Sequence, residues 1–283
     1  MRILLIGSTG LLGSDLRQEC GSLQMIPANS RDADIRDAAQ VRRLISAAAP
    51  DWIVLAAAYT DVDGAERDPE RAFAVNRDGT RNVSVAAKEA GATLFYVSTD
   101  YVFDGRCERP YEPGDPVHPL NIYGASKASG EQAVQEFSGE WVIARASWLF
   151  GAARPSFPEK ILRAAQTQPE LRVVNDQIGS PTYTKDLARA ILELIRRDAR
   201  GVLHITNSGF CSWFNFAKEI LRKAGCSTPI SPISTAEAHR PAARPAYSVL
   251  STAALAAYGI NLRNWQDALG AYLDELRQKG KLL

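Results

Sequence analysis

Residues 2–13, which run RILLIGSTGLLG, decide the fold class of this 283-residue chain. The first five form a short apolar run, which is typical of a buried parallel strand. Gly7, Gly10 and Gly13 follow with the spacing G-x-x-G-x-x-G. Glycines in a strand-to-helix turn allow a pyrophosphate to approach backbone N–H groups and a helix to pack closely on a strand. The stretch therefore predicts a dinucleotide site at the N-terminus.

Apolar segments alternate with helical segments through the first half of the chain, which predicts an α/β fold with a doubly wound parallel sheet of the Rossmann type. The predicted strands cover residues 2–6, 23–28, 52–57, 93–97 and 141–144. The predicted helices cover residues 11–19, 38–48, 69–90 and 125–137. Ligands of open α/β sheets bind beyond the carboxyl ends of the strands, so we expect the functional site at that edge.

After residue 150 the alternation becomes less regular and prolines accumulate, which is typical of loops in a second lobe. Further strands are predicted at 172–174 and 202–205, and further helices at 184–197, 213–224 and 265–279. We assign residues 1–150 to a dinucleotide-binding domain, with sheet additions near 172–206. A smaller, interleaved substrate-binding lobe takes mainly residues 151–171 and 207–283.

The composition favours a soluble enzyme, since 46% hydrophobic and 23% charged residues can bury a sizeable core. A formal net charge of +1 gives no indication of nucleic acid or a membrane surface as a partner. The four cysteines and three histidines lack the spacing of a zinc site or a disulfide framework. The first apolar run is too short for a signal peptide or a membrane span. We therefore expect a cytoplasmic protein without a metal site.

If a helix begins after Asn121, Tyr123 and Lys127, which are spaced as i and i+4, share one of its faces. A neighbouring ammonium favours the phenolate and is expected to lower the pKa of Tyr123 from near ~10 toward neutrality, where acid–base catalysis is efficient. A hydroxyl from Thr99 or Ser98 would bind the same carbonyl oxygen. The spacing also occurs on ordinary helix surfaces, so it indicates a proton donor only in combination with the dinucleotide site.

Several motifs occur along the chain in a characteristic order. They are the glycine turn, residues 56–63, residues 98–105, residues 123–127, residues 146–151, residues 176–182, and Arg244-Pro245 with Ser248. Together they resemble the extended short-chain dehydrogenase/reductases, and within that family the reductases of dTDP-4-dehydrorhamnose. The resemblance spans roughly the whole chain, and the ordered combination is more specific than any single motif.

The resemblance implies NAD(P)H-dependent reduction of the 4-keto group of dTDP-4-dehydro-6-deoxy-L-mannose (dTDP-4-dehydrorhamnose) to dTDP-L-rhamnose. It implies that Tyr123 is the proton donor, that Lys127 binds the nicotinamide ribose, and that Thr99 polarises the keto oxygen. The positions that match substrate contacts are Thr99, Asp100, Trp148 and Arg244. The positions that match cofactor contacts are Gly7, Gly10, Leu11, Leu12, Gly13, Asp34, Ile35, Ala57, Ala58, Tyr59, Thr60, Tyr123 and Lys127.

The phosphate state of the cofactor depends on the end of the second strand. NAD-preferring folds usually place an acidic residue there, whereas this strand continues into Asn29, Ser30 and Arg31. Arg31 either holds a 2'-phosphate or is a solvated loop arginine. We expect NADPH as the cofactor and leave NADH open.

Four further residues carry open alternatives. Asp61 and Asp63 are expected to be solvated or to cap the next helix, without binding a metal. Asp15 lies near a position where some members of the family share a magnesium ion at a dimer contact, but the sequence supplies no further ligands. The oligomeric state, monomer or homodimer, stays open. Arg240 either meets a diphosphate or belongs to a salt-bridged or solvated loop, whereas the match to the family's Arg-Pro favours a diphosphate contact for Arg244.

Two other functions remain compatible with the sequence. The chain is either a reductase of a different nucleotide-linked 4-keto sugar or a regulatory subunit that keeps the dinucleotide fold without the reaction. The combination of Thr99, Tyr123, Lys127 and Trp148 argues against the regulatory subunit, because a pure binding module has no chemical need for all of them.

Overall fold

The computed structural model describes residues 1–281, so the last two residues of the predicted substrate lobe, 282 and 283, lie outside it. The strands are β1 (Arg2–Ile6), β2 (Gln24–Ala28), β3 (Trp52–Leu55), β4 (Thr93–Thr99), β5 (Trp141–Ala146), β6 (Leu149–Phe150), β7 (Leu171–Val174), β8 (Ile178–Gly179), β9 (Thr182–Tyr183), β10 (Gly201–His204), β11 (Cys211–Ser212) and β12 (Ile230–Ile233).

The α-helices are α1 (Leu11–Glu19), α2 (Ala38–Ala48), α3 (Val62–Arg67), α4 (Pro69–Phe73), α5 (Thr80–Glu89), α6 (Ile122–Phe137), α7 (Phe157–Thr167), α8 (Thr184–Arg196), α9 (Trp213–Ala224), α10 (Ala253–Ala256) and α11 (Trp265–Gln278). A π-helix at Ala74–Gly79 joins α4 to α5, and a 3-10 turn at Asp100–Val102 follows β4. None of the helices within residues 1–281 is long and apolar enough to cross a membrane.

Six parallel strands form the central sheet in the order β10-β5-β4-β3-β1-β2. This order confirms the predicted doubly wound parallel sheet. The chain moves outward from β1 to β2 and then returns to place β3 on the other side of β1. A crevice therefore opens at the carboxyl ends of β1 and β3, which is where such sheets bind ligands.

Helices cover both faces of the sheet, which explains why its strands are apolar along their whole length. On β1, Ile3 and Leu5 pack into a cluster with α1 and α8 on one face, whereas Leu4 and Ile6 pack into a cluster with α2 and α5 on the other. These four side chains are buried. The alternation fixes the register of β1 and hence the place where the glycine turn leaves the sheet.

A separate apolar cluster lies in the second half of the chain. It is drawn from β6, α7, β7, α9 and α11, and its large buried side chains include Phe150, Phe216 and Tyr272. The predicted strand at 172–174 belongs here, because β7 pairs with β12 and does not join the central sheet. Of the two predicted sheet additions, only β10 extends that sheet, next to β5.

Two predicted helices differ from the observed ones by more than one residue. The helix predicted at 69–90 is interrupted by the π-helix, whose wider turn the apolar pattern does not signal. The helix predicted from residue 125 begins earlier, at Ile122, because the Asn121 side chain accepts a hydrogen bond from the Gly124 N–H and caps it. Tyr123 consequently lies in the first turn of α6.

Candidate active site

The glycine turn lies at the crevice and is held by close backbone contacts. Gly7 has φ +95°, and a methyl group there would lie 2.5 Å from the Ala57 nitrogen at the end of β3. A methyl group at Gly13 would lie 2.2 Å from the Gly7 carbonyl oxygen. Gly10 offers no side-chain cap, so the first N–H groups of α1 stay available to an anion. These contacts fit the diphosphate of a dinucleotide.

A cavity of about 290 Å³ continues from this turn across the ends of β1, β2 and β3. It is lined by Ile6, Gly7, Asn29, Ser30, Ala33, Asp34, Ile35, Arg36, Ala57, Ala58, Tyr59, Arg71 and Val75. The cavity gathers six of the predicted cofactor residues: Gly7, Asp34, Ile35, Ala57, Ala58 and Tyr59. Leu12 is buried below the turn, whereas Thr60 is exposed beyond Tyr59. The size and position of the cavity fit the adenosine half of a dinucleotide.

The arginines around this cavity differ from the expectation. Arg31 is exposed and is not among the cavity-lining residues of the described chain, although its neighbours Asn29 and Ser30 are. Arg36, which sequence analysis missed, lines the cavity and binds Asp34, with Nη2 2.6 Å from Oδ2. The hydrogen bonds from Arg36 lower the pKa of Asp34. Of the two arginines, Arg36 lines the cavity but is paired with Asp34, whereas Arg31 lies outside the lining.

Asn76 connects Tyr59, which lines the cavity, to helix α6. Its side chain accepts a hydrogen bond from the Tyr59 N–H at 2.8 Å and donates to the Tyr59 carbonyl at 3.0 Å and to the Ser126 hydroxyl at 2.9 Å. Asn76 is buried within the π-helix, an element that often marks functional sites. No sequence pattern indicated it, because the role depends on where the π-helix directs the side chain.

The predicted catalytic residues Thr99 and Tyr123 meet where β4 ends and α6 begins. Gly124 lets the helix approach the 3-10 turn, since a methyl group there would lie 2.1 Å from the Tyr101 carbonyl oxygen. The Tyr123 ring consequently packs edge-on against Tyr101, with centroids 5.8 Å apart. The Thr99 hydroxyl interacts with the Tyr123 side chain and, at 3.1 Å, donates to the Asp100 carboxylate. A phenol, a hydroxyl and a carboxyl group thus converge at one point.

The expected lowering of the Tyr123 pKa by Lys127 is wrong for this structure. Burial raises the pKa of Tyr123 to about 12, the Thr99 hydroxyl opposes the shift, and Asp100 adds to it. The Lys127 ammonium instead donates to the Val97 carbonyl at 2.7 Å and lies 4.0 Å from the centre of the Tyr96 ring. Burial lowers the pKa of Lys127 to about 7, and Glu131 opposes that shift. The ammonium is therefore close to losing its charge at neutral pH.

The structure also decides between Ser98 and Thr99. The Ser98 hydroxyl donates to buried Glu131 at 2.5 Å, whereas the Thr99 hydroxyl interacts with the Tyr123 side chain. Glu131 also forms a buried ion pair with Arg145, with Nη2 2.7 Å from Oε2. Thr99 is therefore the hydroxyl on the tyrosine side, and the Glu131 network supports the strand ends from beneath.

Asp100 is a buried carboxyl group at the centre of the site. Its Oδ2 accepts a hydrogen bond from the Ser248 hydroxyl at 2.6 Å. Burial raises the pKa of Asp100 to about 7, although the Ser248 and Thr99 hydroxyls oppose that shift. The group is thus able to accept or donate a hydrogen bond near neutral pH.

The two candidate diphosphate arginines converge on one carboxylate. Arg244 Nη2 lies 3.0 Å from Asp63 Oδ2, and Arg240 Nη1 lies 3.2 Å from the same oxygen. Arg244 is mostly buried, whereas Arg240 is exposed. Asp61 accepts a hydrogen bond from the Gly64 N–H at 2.9 Å and so caps α3, which is one of the two roles expected for it. Asp63 is neither solvated nor a cap, because it pairs with the arginine loop.

Trp148 and Asp15 occupy contrasting places. Trp148 is half-buried just beyond β5 and stacks on Trp213. Asp15 is buried within the chain and accepts a hydrogen bond from the Thr184 hydroxyl. Within residues 1–281 no group of three or more acidic, histidine or cysteine side chains is arranged to hold a metal ion.

Comparison with known proteins identifies the family. A family model described as the RmlD substrate binding domain matches residues 1–278. The spore coat polysaccharide biosynthesis protein SpsK of Bacillus subtilis is 39% identical over 97% of this chain and 97% of its own. The dTDP-4-dehydrorhamnose reductase of Burkholderia thailandensis is 38% identical over 98% of this chain and 99% of its own. This chain belongs to the dTDP-4-dehydrorhamnose reductase family.

Solved structures agree with that assignment to the dTDP-4-dehydrorhamnose reductase family. The crystal structure of the Bacillus anthracis dTDP-4-dehydrorhamnose reductase, in complex with NADP, has a TM-score of 0.94 at 39% identity. The match covers 97% of this chain and 99% of that one. The family resemblance inferred from the sequence motifs is therefore confirmed.

Sequence analysis of this family member missed several of these residues. Asn76, Glu131, Arg145 and Trp213 act through partners far away in the chain, so their own neighbourhoods in the sequence carry no signal. Arg36 binds Asp34 only two residues away, but no motif marked it. Ser248 was noticed beforehand through its place near the Arg-Pro motif, and Gly179 as part of residues 176–182.

Proposed function

We propose that this chain reduces the 4-keto group of dTDP-4-dehydrorhamnose to dTDP-L-rhamnose, with NADPH as the hydride donor. The observation that carries the proposal is the convergence of Tyr123, Thr99 and Asp100 at the end of β4, on the same edge of the sheet as a glycine turn that leaves the first N–H groups of α1 without a side-chain cap. Membership of the dTDP-4-dehydrorhamnose reductase family supports the substrate class. The NADP complex of the Bacillus anthracis relative supports the cofactor.

Tyr123 is the proton donor in this proposal. The reduced nicotinamide, when bound, supplies a hydride to carbon 4 of the sugar, and the keto oxygen becomes more negative as the hydride arrives. A phenol with a raised pKa remains protonated at neutral pH, so Tyr123 has a proton to give. Donors placed beforehand around that oxygen stabilise the transition state more than the ground state.

Thr99 and Lys127 assist that proton transfer. The Thr99 hydroxyl lies on the tyrosine side of β4 and is able to donate to the keto oxygen, which would require it to leave Asp100. Lys127 is held by the Val97 carbonyl, and its ammonium would turn to ribose hydroxyls in the cofactor complex. If the Lys127 side chain is charged in that complex, its ammonium would stabilise the Tyr123 phenolate that remains after the proton has left.

We further propose a division of labour between the two parts of the chain. Residues 1–150, with β10, form the dinucleotide-binding domain. Residues 151–171 and 207–281 form most of the substrate-binding lobe, which has its own apolar cluster. Asp100, Trp148 and Arg244 bind the sugar nucleotide in this proposal, and Arg244 would exchange Asp63 for the substrate diphosphate.

The test is oxidation of NADPH and NADH, followed at the nicotinamide absorbance, with dTDP-4-dehydrorhamnose as substrate. Oxidation with dTDP-rhamnose as product is the expected result. NADPH binding without oxidation would contradict the assigned substrate. A panel of other nucleotide-linked 4-keto sugars then separates the two remaining functions, because a regulatory subunit would oxidise NADPH with none of them.

A further inference from the structure

The indole of Trp148 lies at the catalytic edge of the sheet. Thr99 at the end of β4 pairs in register with Ala146 at the end of β5, and Trp148 follows almost directly. The strand ends therefore bring the tryptophan to the side of the keto-polarising hydroxyl. A flat apolar wall in this position is suited to a sugar ring.

Trp148 reaches this position in an unusual backbone conformation. Its φ is +48°, in the left-handed region that a residue with a bulky side chain rarely adopts. Strained residues of this kind persist only when their surroundings hold them in place. The Thr182 N–H donates to the Trp148 carbonyl at 3.2 Å, which fixes the backbone but not the ring.

The ring itself is held between two residues from other parts of the chain. Trp213 stacks on it, with ring centroids 3.6 Å apart and planes inclined by 8°. Gly179 lies against its indole edge, and a methyl group at Gly179 would be 2.5 Å from Trp148 Cε2. The indole therefore has contacts that restrict it from two directions.

These two contacts are part of one rigid unit. Strands β8 and β11 pair antiparallel, with Gly179 opposite Cys211. Ser212 ends β11 and caps α9 by accepting from the Asn215 N–H at 3.1 Å, so Trp213 is the first residue of that helix. The distance between Gly179 and Trp213 is consequently set by backbone pairing.

The same unit is tied to the buried carboxyl group of Asp100. The Ser248 N–H donates to the Ile178 carbonyl at 2.8 Å, while the Ser248 hydroxyl donates to Asp100 at 2.6 Å. The indole wall and Asp100 are therefore positioned from one short segment, β8. A change in the stacking partner would displace the wall relative to the catalytic groups.

We propose that Trp213 is a positioning residue for the sugar nucleotide, which holds the Trp148 indole in its strained conformation against Gly179. The proposal deepens the proposed function and rests on it, because it takes Trp148 as a sugar contact. Trp213 itself acts through Trp148 and binds nothing directly. It should determine how tightly the sugar nucleotide binds, while cofactor binding should not depend on it.

Kinetics of Trp213→Ala and Trp213→Phe provide the first test. We expect Trp213→Ala to raise KM for dTDP-4-dehydrorhamnose roughly three- to tenfold, the factor that corresponds to the energy of one aromatic pair. KM for NADPH should stay within about twofold. Trp213→Phe retains a flat partner and should recover most of the loss. Gly179→Ala, which pushes on the indole from the other side, should raise the same KM.

A matched control separates positioning from general stability. Trp265 is a buried tryptophan of the same apolar cluster. Its ring packs edge-on against Phe216 and forms no aromatic pair with Trp148. Trp265→Phe should lower the melting temperature without a selective rise in the sugar KM. If Trp213→Ala behaves in the same way as Trp265→Phe, the proposal is overturned.

Circular dichroism tests the stacking independently of substrate. Two parallel indoles couple their electronic transitions, so the folded protein should show an exciton couplet. Trp148→Phe and Trp213→Phe should each abolish it, whereas Trp52→Phe, Trp141→Phe and Trp265→Phe should leave it. Persistence of the couplet in Trp213→Phe would overturn the proposal. Failure of the wild-type protein to oxidise NADPH with this sugar would instead overturn the proposed function and, with it, the role of Trp213.

Discussion

The glycine turn and the Trp148 wall lie at the same edge of the sheet, but they are held by different means. Gly10 and Gly13 fit against the Gly7 carbonyl within one continuous strand–turn–helix unit, and Gly7 itself fits against Ala57 after the adjacent strand β3. Trp148 depends on Gly179 and Trp213, which come from distant segments. The glycine turn on the proposed cofactor side is thus held by backbone contacts, most of them local, whereas the proposed sugar side is assembled by tertiary packing of side chains. Substitutions on the two sides should therefore have separable effects.

The largest expected effect lies at the junction of the two sides. Tyr123→Phe removes the proposed proton donor but keeps the ring that packs on Tyr101. Turnover should fall by about 10²- to 10⁴-fold, the usual contribution of a positioned acid. The dissociation constant for NADPH, measured by fluorescence titration, should stay near that of the wild type. Undiminished turnover would remove Tyr123 from the chemistry.

The sugar side should carry a distinctive pH dependence through Asp100. Burial raises its pKa to about 7 in the folded state, so between about pH 4 and pH 7 the folded protein binds more protons than the unfolded chain. The contribution of Asp100 to the free energy of unfolding should therefore fall as the pH rises, by up to about 1.4 kcal/mol per unit. Above about pH 7, Asp100 is ionised in both states, so its contribution to the free energy of unfolding falls no further.

Asp100→Asn removes this titration, and denaturant unfolding between pH 5 and pH 8 measures the difference. The variant should gain stability relative to the wild type as the pH rises. Glu136→Gln, which removes one carboxylate at an exposed position on α6, is the matched control. Parallel pH profiles for wild type and Asp100→Asn would contradict the buried, protonated carboxyl group.

On the cofactor side, Gly7→Ala separates two effects of an added methyl group, which are its clash with neighbouring backbone and the strain of a positive φ. Gly7 and Gly21 both have positive φ, but a methyl group at Gly7 meets the Ala57 backbone, whereas one at Gly21 meets nothing within 4 Å. Gly21→Ala should cost only about 1–2 kcal/mol of unfolding free energy and leave NADPH affinity unchanged. Gly7→Ala should cost more and also weaken NADPH binding. Equal effects of the two variants would refute a turn built for a ligand.

The smallest effect concerns the phosphate on the ribose. Arg31 is exposed and free to move toward the cavity, whereas Arg36 is bound to Asp34. Arg31→Gln should weaken NADPH binding about tenfold, by the worth of a charged hydrogen bond, and leave NADH binding unchanged. Arg36→Gln should change both affinities equally. A selective loss of NADPH affinity in Arg36→Gln would show that Arg36, and not Arg31, binds the ribose phosphate.

The same contrast explains how much the sequence could predict. The bounds of β1, α1, α2 and α9 agree with their predicted ranges, because apolar runs and glycine punctuation act within the segment itself. The central sheet followed from their alternation. The site is harder, because the π-helix that directs Asn76 and the stack on Trp148 arise only from packing.

The Tyr123–Lys127 pair shows the limit most clearly. The spacing correctly placed both residues on α6, but not the direction in which the ammonium points. Lys127 turns to the Val97 carbonyl and the Tyr96 ring, so its charge does not lower the pKa of Tyr123. The helical spacing fixes where the two side chains leave α6, whereas the partners on β4 decide where the Lys127 ammonium lies.

The most direct test of the central claim follows the transferred hydrogen. The protein is incubated with dTDP-4-dehydrorhamnose and NADPH that carries deuterium at both positions of nicotinamide carbon 4, and the product is analysed by mass spectrometry and NMR. We expect dTDP-L-rhamnose with deuterium at carbon 4 of the sugar. A product without deuterium at that carbon, or unreacted sugar with NADPH bound, would contradict the proposed reductase.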